Sequence, residues 1–302
     1  MGCLKLTYYQ ENEPLLKCVW NKNKPEKHVQ WFYTVDPLAH KFPSMSPYSA
    51  MGNNPIYFID PDGREIAPAS QKEWDRQKQY VIGQRDKLQG KVDNLTAKAA
   101  DKGWSAEKLA GKIGNLNERV SSLNSSINTF GVLESSSQVY SLNKVGASDL
   151  GGVTLDPSSG EIVISFGNTA NFVHETTHGG QFESGDIAFD GNTGNVLAQD
   201  IYDEVAAYKA QYAYDPSSVS GLPSTSGTRV TSFGGITPSW IQGLDGGTLY
   251  NPGGRANTGI SPLNINSTKT DFLRAYPHNP AIKSLPSSFV LKTSYPSIYY
   301  KK

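Results

Sequence analysis

Between Ser70 and Phe130 the apolar residues keep a seven-residue beat that suits helices and nothing else. Trp74, Val81, Leu88 and Leu95 recur every seven positions, and Val92 and Ala99 fill the alternate place. After Gly103, the residues Leu109, Ile113, Leu116, Val120, Leu123, Ile127 and Phe130 step 4-3-4-3-4-3. A strand alternates faces every two residues and cannot use that period, whereas a helix gathers it on one stripe. Ser70 followed by Glu73 predicts a capping box at the start of the first helix, and Ser105 predicts a cap for the second. The connection is short, so residues 67–132 are expected to form an antiparallel helical hairpin with Leu88, Leu95, Leu116 and Leu123 on the shared seam. A pair of this size still has apolar surface to cover. Packing on a neighbouring element is therefore favoured over a free spacer or docking arm.

Downstream the period changes. Ser137 to Leu142 reads as a strand, and Val153-Thr154-Leu155, a DPSSG turn and Glu161 to Phe166 read as a β-hairpin. Asn168 or Thr169 then caps a helix holding NFVHETTHGGQF, residues 171–182. Within it His174, Glu175 and His178 spell H-E-x-x-H. Helix residues four apart stand one turn above the other, so both imidazoles can grip one ion, typically zinc. Glu175 follows the first ligand and can act as general base on the attacking water. The competing reading is a helix with two surface histidines and a coincidental Glu. Gly179-Gly180 is predicted to end the helix. Asp186 to Ala198 reads as a second hairpin turning at Asp190–Gly194. In Gln199 to Tyr212 the residues Ile201, Val205, Tyr208 and Tyr212 step by 4, 3 and 4, which predicts another amphipathic helix. From Asp215 onward the chain is rich in Ser, Gly and Pro. Short helices are expected at Pro238–Leu244 and Lys269–Tyr276, with loops wrapped on the core between them.

Catalytic zinc takes three protein ligands and keeps one open position. The pattern H-E-x-x-H-x-x-G-x-x-H is not met, because Gln181 and Ser184 stand where it needs Gly and His. The segment DEVAAY, residues 203–208, instead resembles the E-x-x-A-Y helix of gluzincin-type H-E-x-x-H metallopeptidases, including those found as toxin domains. That resemblance implies Glu204 as the third ligand. Asp203 is the alternative, since sequence leaves the register open. Asp200 and Tyr208 lie four residues either side of Glu204. On a shared face, Asp200 could accept the free N–H of a ligand histidine. Tyr208 could donate to an oxyanion, with a core aromatic as its equal alternative. His278, in YPHNP, reads as a solvated loop residue rather than a mobile oxyanion donor, and His28 and His40 are assigned no chemistry.

Charge narrows the partners. Lys+Arg and Asp+Glu number 28 each, so nothing suggests a polyanion-binding surface and nucleic acid is not expected. No apolar run approaches bilayer length, so no membrane span is expected. The start, MGCLKLTYYQENE, lacks the basic region and apolar core of a secretory signal. The expectation is a secreted or delivered chain without its own signal peptide, cytoplasmic in the producing cell before export. Cys3 and Cys18, the two cysteines, make no disulfide framework and are read as reduced thiols.

Residues 36–65 read DPLAHKFPSMSPYSAMGNNPIYFIDPDGRE, a series of turns around one short strand, Ile56 to Ile59. Strand-like runs precede them at Leu4–Tyr9 and Val29–Val35. This stretch resembles the end of the core of Rhs-type (YD-repeat) proteins of Bacteroidetes-like bacteria, in the DPLA-x-K-F segment and in NNP followed by DPDG. The resemblance covers about residues 1–66. It implies a junction between a β-shell and a variable C-terminal effector, often a toxin, although the upstream repeats that build the shell are absent here. Asp60 and Asp62 read as residues of a DPDG turn rather than as self-cleavage groups.

The expected fold class is α+β: a short β-rich Rhs-core remnant at 1–66, the hairpin at 67–132, and a zincin-like metallopeptidase domain at 133–302. The expected activity is zinc-dependent peptide hydrolysis as the effector tip of an Rhs-type polymorphic toxin. A peptide or protein substrate and an immunity protein are the partners this implies. The alternative is an Rhs-derived binding module with a decayed metal site.

Overall fold

The computed structural model describes residues 6–7, 17–18, 66–147, 149, 151–227, 229–244, 246 and 259–301. The chain divides into two compact units, Met1–Ile59 and Asp60–Lys302. In the first, β1 (Leu6–Thr7) and β2 (Lys17–Cys18) pair antiparallel with Leu6 opposite Cys18. The predicted strands Val29–Val35 and Ile56–Ile59 and the turns of 36–65 lie outside the described residues, as do Cys3, His28, His40, Asp60 and Asp62.

The second unit is mixed α+β. Ile66 bridges Tyr140, and the chain then enters α1 (Pro68–Asp101), followed by α2 (Ala106–Glu134). The start of α1 differs from the predicted capping box. The helix begins at Pro68, whose fixed φ and missing N–H suit the first turn. Ser70 is thus already inside it, and its Oγ accepts a hydrogen bond from Leu142 N at 2.8 Å instead. Ser105 does cap α2, accepting from Lys108 N. Along the two helices Trp74 meets Phe130, the Lys78 ammonium pairs with Glu134 at 2.6 Å, and Arg85 donates to Asn124 at 2.7 Å. Leu88 and Leu123 are fully buried, whereas Leu95, Leu109, Ile113 and Leu116, nearer the connecting turn, are half-buried.

Three strands follow: β3 (Tyr140–Lys144), β4 (Gly152–Leu155) and β5 (Ile162–Phe166). The sheet order is β3-β5-β4, with β5 parallel to β3 and antiparallel to β4. The alternation in Ile162, Ile164 and Phe166 buries one face of β5 completely. Helix α3 (Thr169–Ser184) starts where Asn168 accepts from Asn171 N, and presses Phe172 into the core. There the Phe172 ring lies 5.3–5.5 Å from Phe166, Trp74 and Phe130, joining α1, α2, α3 and β5 in one aromatic cluster.

Contrary to the sequence expectation, α3 does not stop at Gly179-Gly180. It runs to Ser184 and ends on Gly185 at φ +77°. The glycine pair serves close packing. A Cβ on Gly180 would meet Thr129 Cγ2 at 2.8 Å, and one on Gly179 would meet Leu133 Cδ1 at 3.1 Å, so their absence lets α3 lie against α2.

Next come β6 (Ala188–Asp190) and β7 (Val196–Leu197), an antiparallel pair joined through the Asp190–Gly194 turn, and α4 (Ile201–Tyr214). The last carbonyls of α4 are held from both long helices. Gln84 donates to Tyr214 O, and the Arg119 guanidinium donates to Ala213 O and Tyr214 O at 3.0 and 3.2 Å. The remaining chain forms α5 (Ser217–Ser220), α6 (Pro238–Gln242), α7 (Lys269–Ala275), α8 (Pro280–Lys283), α9 (Leu291–Ser294) and β8 (Ile298–Tyr299). It wraps back, since β8 completes the sheet β7-β6-β8 and Lys301 pairs with Glu183 at 3.0 Å. No helix among the described residues is long and apolar enough to cross a membrane.

Candidate metal centre

Phe172 and His174 are two residues apart and so point to opposite sides of α3. With Phe172 in the core, His174 and His178 turn toward α4, where Glu204 stands in the first turn. His174 Nε2 lies 3.5 Å from Glu204 Oε2, and His178 Nε2 lies 3.8 Å from Glu204 Oε1. One ligand atom from each of the three residues falls within 4.8 Å of the others, and all three side chains are buried.

The tautomers follow from the amides behind the rings. His178 Nδ1 is 2.7 Å from Gln181 Oε1, and His174 Nδ1 is 2.9 Å from Gln211 Oε1. Gln181 spends its Nε2 on Asp203 O, and Gln211 points its Nε2 at Ser218, so each presents its oxygen to the ring. An amide oxygen only accepts, so each imidazole carries its proton on Nδ1. Each Nε2 lone pair is left facing Glu204. Two neutral imidazole nitrogens and a carboxylate, with their outer nitrogens already bonded, are a donor set that fits a zinc ion.

The register question is settled by a cap. Asp200 is the N-cap of α4 and accepts from Tyr202 N and Asp203 N, while Asp203 Oδ2 accepts in return from Asp200 N at 2.9 Å. Asp203 is turned back on the helix start, its carboxyl pushed up to about 7 by burial, and Glu204 is the residue that faces α3. The same cap corrects the role expected of Asp200. As an N-cap it is not helical, so four-residue spacing does not put it on Glu204's face. It bonds backbone amides, including Leu263 N, and Gln181 and Gln211 take the histidine protons. Tyr208 packs edge-on against His174, centroids 4.6 Å apart, and edge-on against Trp240 at 5.3 Å. His278 is exposed, in keeping with a loop residue.

Glu175 is buried beside this cluster. Burial raises its carboxyl to about 7, with Glu204 adding to the rise and His174 opposing it. Burial also pushes the His178 imidazole below its usual range. For His174 burial acts the same way and is the largest single influence, but Glu204, Glu175 and Gln211 together outweigh it and the net shift is upward. Glu175 lies against Gly151, the residue before β4. A Cβ there would stand 2.4 Å from Glu175 Oε1 and 2.7 Å from Ser165 O. One cleft of about 490 Å³ runs from the loop before β4 past His174, Glu175, His178 and Glu204 to Tyr208 and Leu222.

Sequence reasoning missed Gln181, Gln211 and Gly151. Gln211 carried a readable signal, because Glu204, Tyr208 and Gln211 step 4-3 along one face. No family model, curated protein or solved structure matches the chain.

Proposed function

We propose that this chain is a zinc-dependent peptidase of zincin-like build, the effector tip of an Rhs-type polymorphic toxin. The observation that carries the reading is the convergence of His174 Nε2, His178 Nε2 and Glu204 beneath a cleft with Glu175 at its side. A decayed site would have lost a donor or an outer hydrogen bond, and this one keeps both. Bound there, a zinc ion would supply Lewis acidity toward the scissile carbonyl and acidify the attacking water.

The chain's own groups do the rest. Gln181 and Gln211 keep the Nδ1 proton of each imidazole in place and fix the rotation of the rings. Glu175 accepts the proton of the attacking water as the C–O bond forms, then returns it to the leaving nitrogen as the C–N bond breaks. A carboxyl raised by burial toward neutrality suits both halves of that transfer. The start of β4, an edge strand of its sheet, lies along the cleft and offers backbone groups to an extended peptide. Tyr208, which lines the cleft, would donate to the charge that develops on the carbonyl oxygen. On this reading the Rhs-like residues 1–66 are the delivery remnant, the α1–α2 pair is an antiparallel hairpin bracing the domain, and the producing cell needs an immunity protein.

Glu175→Gln separates chemistry from metal binding. Purified variant and wild type should hold equal zinc, while cleavage of a peptide library should fall by several orders of magnitude in the variant. Wild type expressed in a susceptible cell should arrest growth, and the variant should not. Equal cleavage by both proteins would remove Glu175, and with it this mechanism.

A further inference from the structure

We propose that Gln199 is a positioning residue for Glu204, and that the C-terminal segment 259–301 holds it in place through Tyr276. The inference rests on the metal reading above and concerns how its third ligand is aimed.

Gln199 precedes the N-cap of α4 and is no part of the ligand set. Its Nε2 nevertheless donates to Glu204 Oε1 at 2.8 Å. The other oxygen, Oε2, is the one nearest His174 Nε2. The amide holds Oε1, the oxygen nearest His178 Nε2, and so fixes which carboxylate oxygen faces which imidazole. Without such a donor, a Glu side chain turns freely about its last torsion and presents its oxygens indifferently.

The backbone that aims Gln199 is unusual. Ala198, directly before it, has φ +65° and is the one non-glycine residue with positive φ among the described residues. An alanine stays in that region when its surroundings hold it there, and such residues gather at functional sites. The restraint comes from far along the chain. Tyr276 Oη donates to Gln199 O at 2.6 Å, Leu263 N donates to Asp200 Oδ2, and Ala198 is buried among Leu263, Phe272, Ala275, Phe289 and Leu291. Both residues flanking the α4 start are thus tied to the C-terminal segment. A second cavity of about 200 Å³ lies against Ala198, Gln199, Glu204 and Tyr276, which leaves room for a methionine at position 199.

The test uses the full chain and zinc itself. Zinc dissociation constants are measured by chelator competition for wild type, Gln199→Met, Tyr276→Phe and Tyr295→Phe. Each metal-free protein is melted alongside, and the visible spectrum of each cobalt(II) form is recorded. Gln199→Met keeps length and loses the donor. It should weaken zinc binding about 10- to 100-fold, the usual scale for removing a partner of a metal ligand, and shift the cobalt bands while metal-free melting stays near wild type. Tyr276→Phe should move both readouts the same way by less. Tyr295→Phe cuts a bond from the same segment to Asp190, away from the cluster, and should move neither. Wild-type affinity and spectrum in Gln199→Met would overturn the proposal while leaving the metal reading intact. A lower melting temperature with an unchanged cobalt spectrum would make Gln199 structural and also overturn it. A wild-type chain that binds no zinc would sink both.

Discussion

Gly151→Ala tests the placement of Glu175 without touching a ligand. The added Cβ would stand 2.4 Å from Glu175 Oε1, 2.9 Å from its Cδ and 2.7 Å from Ser165 O. Ser165 is the backbone partner of Gly152 in the β4–β5 ladder, so that side yields little. The carboxylate, at the end of a side chain, must give way by about 1 Å to reach ordinary contact. A catalytic group misplaced by that much loses on the order of 100-fold in rate, or roughly 2.7 kcal/mol of barrier. Zinc content should not change, because Glu175 is outside the donor set. Gly152→Ala is the internal comparison, since a Cβ there meets nothing within 4 Å. The assay is kcat/KM on the best-cleaved member of a peptide library, followed by mass spectrometry, with zinc measured on the same samples. Gly151→Ala should fall far below Gly152→Ala at equal zinc. Equal rates for the two would refute the placement of the base, and loss of zinc from Gly151→Ala would refute its independence from the metal.

Three further outcomes follow from the geometry. Chelation should lower the melting temperature, since saturating ligand at about 1,000 times Kd stabilises by roughly 4 kcal/mol; a melt indifferent to EDTA, or full zinc in His178→Ala, would count against the centre. Trp74→Ala removes the fully buried ring between Phe130 and Phe172 along with its hydrogen bond to Glu134, and should cost about 3–5 kcal/mol in urea denaturation, with a loss under about 1 kcal/mol contradicting the core described. Asp190 accepts from the Tyr295 hydroxyl, from the Asn192 and Thr193 amides and from Ser297 Oγ, which hold its carboxyl below the usual range. A depressed carboxyl contributes stability above its unfolded pKa and loses it as pH falls through the folded one. Asp190→Asn should therefore melt lower than wild type near about pH 6, with the gap closing toward about pH 2; a gap constant with pH would refute the charge as its cause.

What could be read in the sequence was whatever depends on spacing along one helix. His174 and His178 share a face because four residues make about one turn, and the seven-residue beat of α1 and α2 is local in the same way. Glu204 was distinguishable from Asp203 only once Asp203 was seen bonding back to Asp200 N. The D-x-x-D spacing of the cap is present in the sequence, where Asp200 reads equally well as a partner of a ligand histidine and Asp203 as the alternative ligand. Pro68 likewise outranked Ser70 as a helix start, and Gly179-Gly180 proved to be a contact surface rather than a stop. The spacing of Gln211 from Glu204 and Tyr208 places it on their face, but its role and that of Gln181 are decided by which end of the amide faces the ring. Gln199 left no trace, since its aim depends on Tyr276, 77 positions away.

The grip of Gln84 and Arg119 on the end of α4 also limits how this chain can change length over generations. Between Gln84 and the end of α1 lie 17 residues, about 26 Å of helix at 1.5 Å per residue. Deletions or insertions beyond the grip, made in whole heptads and matched in α1 and α2, keep the seam in phase and leave α4 untouched. One residue inserted between Trp74 and Gln84 would instead swing Gln84 by about 100° and take its amide off Tyr214 O. Relatives of this chain should therefore vary in the reach of the two helices in steps of seven, while the stretch from Trp74 to Gln84 keeps its length.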